Sequence, residues 1–391
     1  MRMKNFKENK NFSVVTAILP RQSVSPVLDE ILNFGAPHVI TVDARGSLIK
    51  EKWYQFFLPT LSPEQEILHF LVPNSEADSL MEQIAMTGNL SSFGSGSIFV
   101  TECLHMLAAD DFPLWELGKY RYKSDSFDIR FKKDLVALFH IADKDESSSI
   151  LRAAIKAGSQ GPTVSYIQGY GLRDRLGLLR ITKQHEKELI AVIVDPYDAQ
   201  AVFEAMAKAG RVDQPGRGLL YQVPISRGLI NLASVFNSAK HSASIQQIVR
   251  AIDHMNGDTQ WRANPLIVHD SNSNVFKNSS KSEIKDSFVI NVLCHRKDTE
   301  TVVHKAMNFG VSGASIQNWR FTESNCQITK GGRRVNREFG CILFITNKEK
   351  VDGLLRFIQI SVQELDLKEC CIFSYKASMA KTFLGKKKAQ S

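Results

Sequence analysis

Apolar positions along the chain alternate between short, nearly continuous runs and longer stretches at helical spacing, and that alternation repeats. Residues 13–19 (SVVTAIL) read as a strand, and Val27, Leu28, Ile31 and Leu32 then share one helical face until Gly35. Residues 38–42 read as a second strand and, after a loop, residues 67–72 as a third. A helix over 76–86 and a last strand over 97–100 complete the order βαββαβ.

The same order recurs twice. It runs from 135–139 through a helix ending at Gly158, strands at 163–167 and 189–194, a helix at 199–208 and a strand at 219–223. It runs again from 288–293 through a helix ending at Gly310, strands at 315–319 and 341–346, a helix at 351–362 and a strand at 369–373. Particular residues repeat with it. Asn33-Phe34-Gly35 recurs as Asn308-Phe309-Gly310, each closing a first helix where a left-handed residue is wanted. Residues 66–85 align without gaps on 188–207, setting Leu80, Met81 and Ile84 on Val202, Phe203 and Met206.

Each βαββαβ segment is expected to be a ferredoxin-like sheet with both helices on one face, which leaves the other face bare. The first strands are apolar at nearly every position (Val14, Val15, Ala17 and Ile18; Val289, Ile290, Val292 and Leu293), so burial on both faces is expected. The architecture that follows is α+β: three tandem ferredoxin-like domains whose bare faces bury one another as an intramolecular pseudo-trimer. The domains are expected at 12–103, 132–233 and 286–380, with a basic tail at 381–391. An aromatic connector (104–131, with Phe112, Trp115, Tyr120 and Tyr122) and a helical, Asn/Ser-rich one (234–285) join them. In the second connector Ile245, Ile248, Val249, Ile252 and Met255 have the spacing of an amphipathic helix.

Composition adds exclusions. A chain of 391 residues that is 43% hydrophobic and 23% charged is neither disordered nor collagen-like. The net charge of +8 belongs wholly to residues 281–391, where 19 Lys and Arg face 11 Asp and Glu. Six cysteines show no CxxC pair and no zinc-type spacing with His. The N-terminal run MRMKNFKENKNF has no apolar core of signal-peptide type, no stretch reaches the length of a membrane span, and a cytoplasmic location is expected. Phosphate-loop, HExxH and GxSxG motifs are absent, so no catalytic residue, metal site or required cofactor is nominated and the chain is not expected to be an enzyme.

The most specific signal is carried by glycines. It consists of Gly158-Ser-Gln-Gly161-Pro162-Thr163-Val164, then Gly169-Tyr170-Gly171, the short loop Leu176-Gly177-Leu178-Leu179, the strand at 187–194, and Asp213-Gln-Pro215-Gly216-Arg217-Gly218-Leu219. Over residues 133–232 these resemble the P-II nitrogen-regulator family, in a short-loop branch of it. The resemblance implies a trimer of ferredoxin-like units with adenine nucleotides in the clefts between neighbours. It also implies a signal-sensing role, in which a mobile loop controls a partner protein such as a membrane transporter or an enzyme.

Carried onto this chain, the resemblance implies that Gly169 and Gly171 form the base of that loop. Gly216 and Gly218 would cradle phosphate with Arg217 beside them, and Thr163 would lie near the adenine. Glycines suit this chemistry because they let backbone amides approach and enclose an anion. The expected ligand is ATP, ADP or AMP; Leu219 stands where the family often has a lysine, which favours fewer phosphates. In the first segment Gly94 and Gly96 retain the turn, while Ala44 takes the first loop-glycine position and Gly46 the second. In the third, Phe321 and Glu323 take the loop positions and Asp366-Leu367-Lys368 precedes the last strand, so its own turn is expected to be inactive. A fused chain need not keep three equal sites, and one or two competent clefts are expected.

Two other readings stay open at this point. The chain is equally able to be a scaffold or interaction protein with no small ligand. It also has the element order of RNA-recognition motifs, and residues 337–344 (REFGCILF) partly fit their third-strand consensus, with Phe339 placed to stack a base and Arg333 and Arg334 upstream. Against that, Cys341 replaces a second aromatic and Glu338 carries the wrong charge, so nucleic acid is not the expected partner.

Overall fold

The computed structural model describes residues 6–46, 64–92, 94–116, 131–171, 185–231, 283–311, 313–324 and 336–383, with the isolated residues 118, 129 and 255. Tyr120 and Tyr122, the expected helix up to Met255, the Asn/Ser run, Arg333, Arg334 and the lysine tail lie outside the described residues.

A short strand β1 (Phe6–Glu8) precedes the first unit, which contains β2 (Phe12–Pro20), α1 (Arg21–Asn33), β3 (His38–Gly46), β4 (Glu64–Pro73), α2 (Asn74–Thr87) and β5 (Gly96–Glu102). After β6 (His105–Ala109) the second unit has β7 (Lys132–Asp143), α3 (Lys144–Lys156), β8 (Thr163–Gly171), β9 (His185–Val194), α4 (Pro196–Ala209) and β10 (Leu219–Asn231). The third has β11 (Glu283–His295), a 3-10 turn (Arg296–Asp298), α5 (Thr299–Phe309), β12 (Gly313–Glu323), β13 (Arg337–Asn347), α6 (Val351–Glu364) and β14 (Cys371–Thr382). Local chemistry sets the helix limits. Pro196 opens α4 where its missing N–H costs nothing, and Gly35, Gly158 and Gly310 each follow a first helix with positive φ.

The fold is mixed α and β, and its strands pair antiparallel. Within every unit the strands lie in the order fourth, first, third, second: β5-β2-β4-β3, β10-β7-β9-β8 and β14-β11-β13-β12.

Between units the pairing is cyclic. The start of β3 pairs with the end of β12 (Thr41 with Arg320), the start of β12 with the end of β8 (Ser315 with Gly169), and the start of β8 with the end of β3 (Thr163 with Gly46). The fourth strands close a second ring. The start of β10 meets the end of β14, the start of β14 meets β6, and β5 meets the end of β10. The chain from 104 onward therefore continues the sheet as β6 before it becomes a connector. Farther along it, Phe112 and Trp115 are buried.

Alternation along each strand divides the cores. In β7, Val136, Leu138 and Ala142 face the helices of their own unit, while Leu135, Ala137 and Ile141 join the large central cluster. In β11, Ile290, Val292 and Cys294 face α5 and α6, while Val289 and Leu293 face the centre. Both sheet faces are dry, as nearly continuous apolar first strands require. Phe339 is fully buried at that centre, stacked on Phe321 at 4.7 Å, and so presents no ring to a nucleic-acid base. Among the described residues no helix is long and apolar enough to cross a membrane.

Candidate functional site

The registers give the three units a common frame. The last residue of each first strand opposes the third strand as Pro20 with Gln65, Asp143 with Lys187 and His295 with Phe339. In that frame Gly46, Gly169 and Phe321 are equivalent, and so are Ile40, Thr163 and Ser315, which oppose them across the unit boundaries. Gly46 thus stands on Gly169, the first loop-glycine position, and Ala44 falls on Ile167. This corrects the expected register, in which Gly46 took the second position. The shift shows in the pairing of second with third strands inside each unit, where Ala44 opposes Gln65 and Ile167 opposes Lys187.

The residues expected to form one site belong to two. Thr163 lies at the boundary of the first and second units, backbone-paired with Gly46, and its hydroxyl donates to Gln65 Oε1 at 3.0 Å. Gly94 and Gly96 belong to the first unit's turn. Gly169 and Gly171 pair with Ser315 and Gly313 at the boundary of the second and third units, on the side of Gly216, Arg217 and Gly218.

Lys187 joins those two glycine motifs, and the nomination from sequence had missed it. Its stem lies over Gly169, where an added Cβ would stand 2.9 Å away. Its Nζ donates to Gly216 O at 3.2 Å and pairs with Asp143 at 3.0 Å. The loop base and the turn are thereby held around one lysine whose side chain is 14% exposed. The available signal was a lysine opening a third strand at the position Gln65 and Phe339 take in the other units.

Two expected roles change with the geometry. Arg217 is held by Glu146, which Arg211 also binds, so its guanidinium faces a carboxylate. Gly218 has φ +107°, and a Cβ there would lie 1.9 Å from Ile141 O; Gly96 would meet Ile18 O at 2.3 Å in the same way. These glycines are required by close backbone approach whatever they bind. Gly216, with φ +79° and open space around it, is under no such packing demand.

The third unit's boundary with the first is filled. Phe321 stacks on His38 at 4.6 Å and on Phe339, and Phe112 meets His38 edge-on at 5.5 Å. Arg337 lies over Phe321 and Phe339 and binds Glu369 and Glu323. Burial alone would raise Glu369, but hydrogen bonds and charge from Arg337, with His295, hold it below the ordinary carboxylate range. Cys370 stands where Gly96 and Gly218 stand in the other units. His38 is pulled down to about 4, chiefly by burial and partly by the charge of Arg337.

On the helix side of the boundaries, two are closed by ion pairs. Arg45 forks onto both oxygens of Glu188 at 3.0 Å, joining the first unit to the second. Arg320 binds Asp43 and reaches Glu66 at 2.6 Å, joining the third to the first. Burial alone would lower Arg320, but those two carboxylates raise it above its ordinary value. Among the described residues no group of His, Cys, Asp and Glu is placed to hold a metal.

No family model matches this chain, and no curated protein does. Among solved structures it is similar to an aspartate kinase from Synechocystis at 9% identity and a TM-score of 0.20. That match spans 95% of this chain but only 44% of the kinase chain, and a TM-score so low carries no argument.

Proposed function

We propose that the chain is a P-II-like signal-sensing regulator, three ferredoxin-like units closed into an intramolecular trimer, with one adenine-nucleotide site between the second and third units. The observation that carries this reading is the placement of Lys187. Of the three equivalent positions only this one is a cation, and only here does it lie against both a loop-base glycine and a turn glycine. At the other two boundaries Gln65 is hydrogen-bonded to Thr163, and an aromatic stack occupies the space.

The chemistry is that of a phosphate site. Lys187 supplies charge, and the Gly216 turn beside it, with positive φ and open space around it, supplies backbone that an anion could approach. Leu219 leaves no second lysine after the turn, which favours ADP or AMP over ATP. The loop that follows Gly171 would transmit occupancy to a regulated partner.

Isothermal titration with ATP, ADP and AMP is expected to give one site per chain, weakened at least tenfold by Lys187→Ala. Three equivalent sites, or no saturable heat with any of the three, would overturn the reading.

A further inference from the structure

A cleft of about 440 Å³ opens on the helix side of the boundary between the second and third units, with Gln168, Asn318, Arg296, Lys297, Glu300 and Glu338 in its lining. Its position is informative. The registers set Gln168 on Arg320, Asn318 on Asp43 and Gly340 on Glu66. The triad that closes the boundary of the third and first units, one cation and two carboxylates, is therefore replaced here by two amides and a glycine. Gly340 cannot be traded back, since a Cβ there would lie 2.3 Å from Thr299 Cγ2.

Loss of a single member would strand a partly buried charge. Loss of all three leaves no stranded charge, and the space remains open. Around it stand charges of both signs. Arg296 pairs with Glu338 at 3.3 Å, and Lys297 forms no ion pair among the described residues. Glu300 accepts a hydrogen bond from the Tyr170 hydroxyl at 3.1 Å. A simple anion would be repelled by the two carboxylates and a simple cation by Arg296 and Lys297, whereas a zwitterion meets both.

We propose that this cleft binds a free α-amino acid. Its carboxylate would face Arg296 and Lys297 and its ammonium Glu300 and Glu338, with a polar side chain toward the Gln168 and Asn318 amides. The site is separate from the nucleotide site. Gln168 and Tyr170 project into the cleft, and Gly169 between them turns to the other face of β8, toward Lys187. The inference therefore does not depend on nucleotide binding.

Titration calorimetry of the full chain with each of the twenty amino acids, without nucleotide, tests it. Saturable binding of a polar amino acid at one site per chain is expected. It should weaken at least tenfold in Arg296→Ala and in Glu338→Gln, and on N-acetylation of the ligand. The double variant Gln168→Arg with Asn318→Asp, which restores the Arg320–Asp43 arrangement, should abolish binding with the thermal midpoint retained. The proposal is overturned by an absence of saturable heat with any amino acid, by acetate or inorganic phosphate binding as tightly as the amino acid, or by unchanged affinity in Arg296→Ala.

Discussion

Acidification from pH 7 to pH 5 is expected to destabilise the protein through three interior histidines. Burial pulls His38 and His69 from the ordinary 6.5 down to about 4 and His140 down to about 3, with the charge of Arg337 adding to the effect on His38 and that of Lys187 to the effect on His140. All three are neutral when folded and take up a proton on unfolding. The stability they contribute is thus fully present above pH 6.5 and is lost as pH falls toward the folded values. At pH 5 each unfolded histidine gains about 2 kcal/mol from protonation that the folded one does not, or about 6 kcal/mol for the three. That is a substantial share of a typical folding free energy of about 5–15 kcal/mol, and corresponds to a fall in thermal midpoint of about 7 °C for a chain of this length. Scanning calorimetry at pH 7, 6 and 5 and constant ionic strength measures it. His38→Phe combined with His69→Phe and His140→Leu should flatten the pH dependence. A wild-type midpoint constant from pH 7 to pH 5, or a triple variant with the wild-type slope, would refute the reasoning.

The remaining predictions separate packing from binding. Gly218→Ala must move the Ile141 carbonyl and adopt positive φ, at a cost above about 3 kcal/mol in a denaturant titration. Gly216→Ala, with open space around it but positive φ, should lose about 1–2 kcal/mol of stability while nucleotide affinity falls at least tenfold by calorimetry. Arg320→Ala and Glu66→Gln should couple by about 1–3 kcal/mol in a double-mutant cycle on unfolding, since removing either leaves the other charge half satisfied at a unit boundary. Non-additivity near zero would mean that this pair does not tie the third unit to the first.

Much of this fold was legible along the chain because its cause is local. Apolar runs on nearly every position of the first strands meant two buried faces, and the helix-closing glycines marked where each first helix stops. The gap-free match of 66–85 on 188–207 even set Glu66 on Glu188, and both prove to accept an arginine from a neighbouring unit. Which arginine could not be read. Arg45 and Arg320 reach those carboxylates only through the cyclic strand pairing, a long-range closure with no mark in local spacing. The candidate site failed the same way. Thr163 and Gly169 are six residues apart in one strand, yet that strand crosses from one unit boundary to another, so the two residues serve different clefts. Lys187 was hidden for a further reason: a lysine at the start of a strand is an ordinary surface feature until Gly169 and Gly216 are found against it.

Native mass spectrometry of the full chain with excess ADP puts the central claim to its most direct test. A single 43.9 kDa chain carrying one nucleotide is expected, and Lys187→Ala should leave the same mass without nucleotide. Trimers of whole chains, or three nucleotides on each chain, would contradict three units closed within one molecule around a single competent cleft.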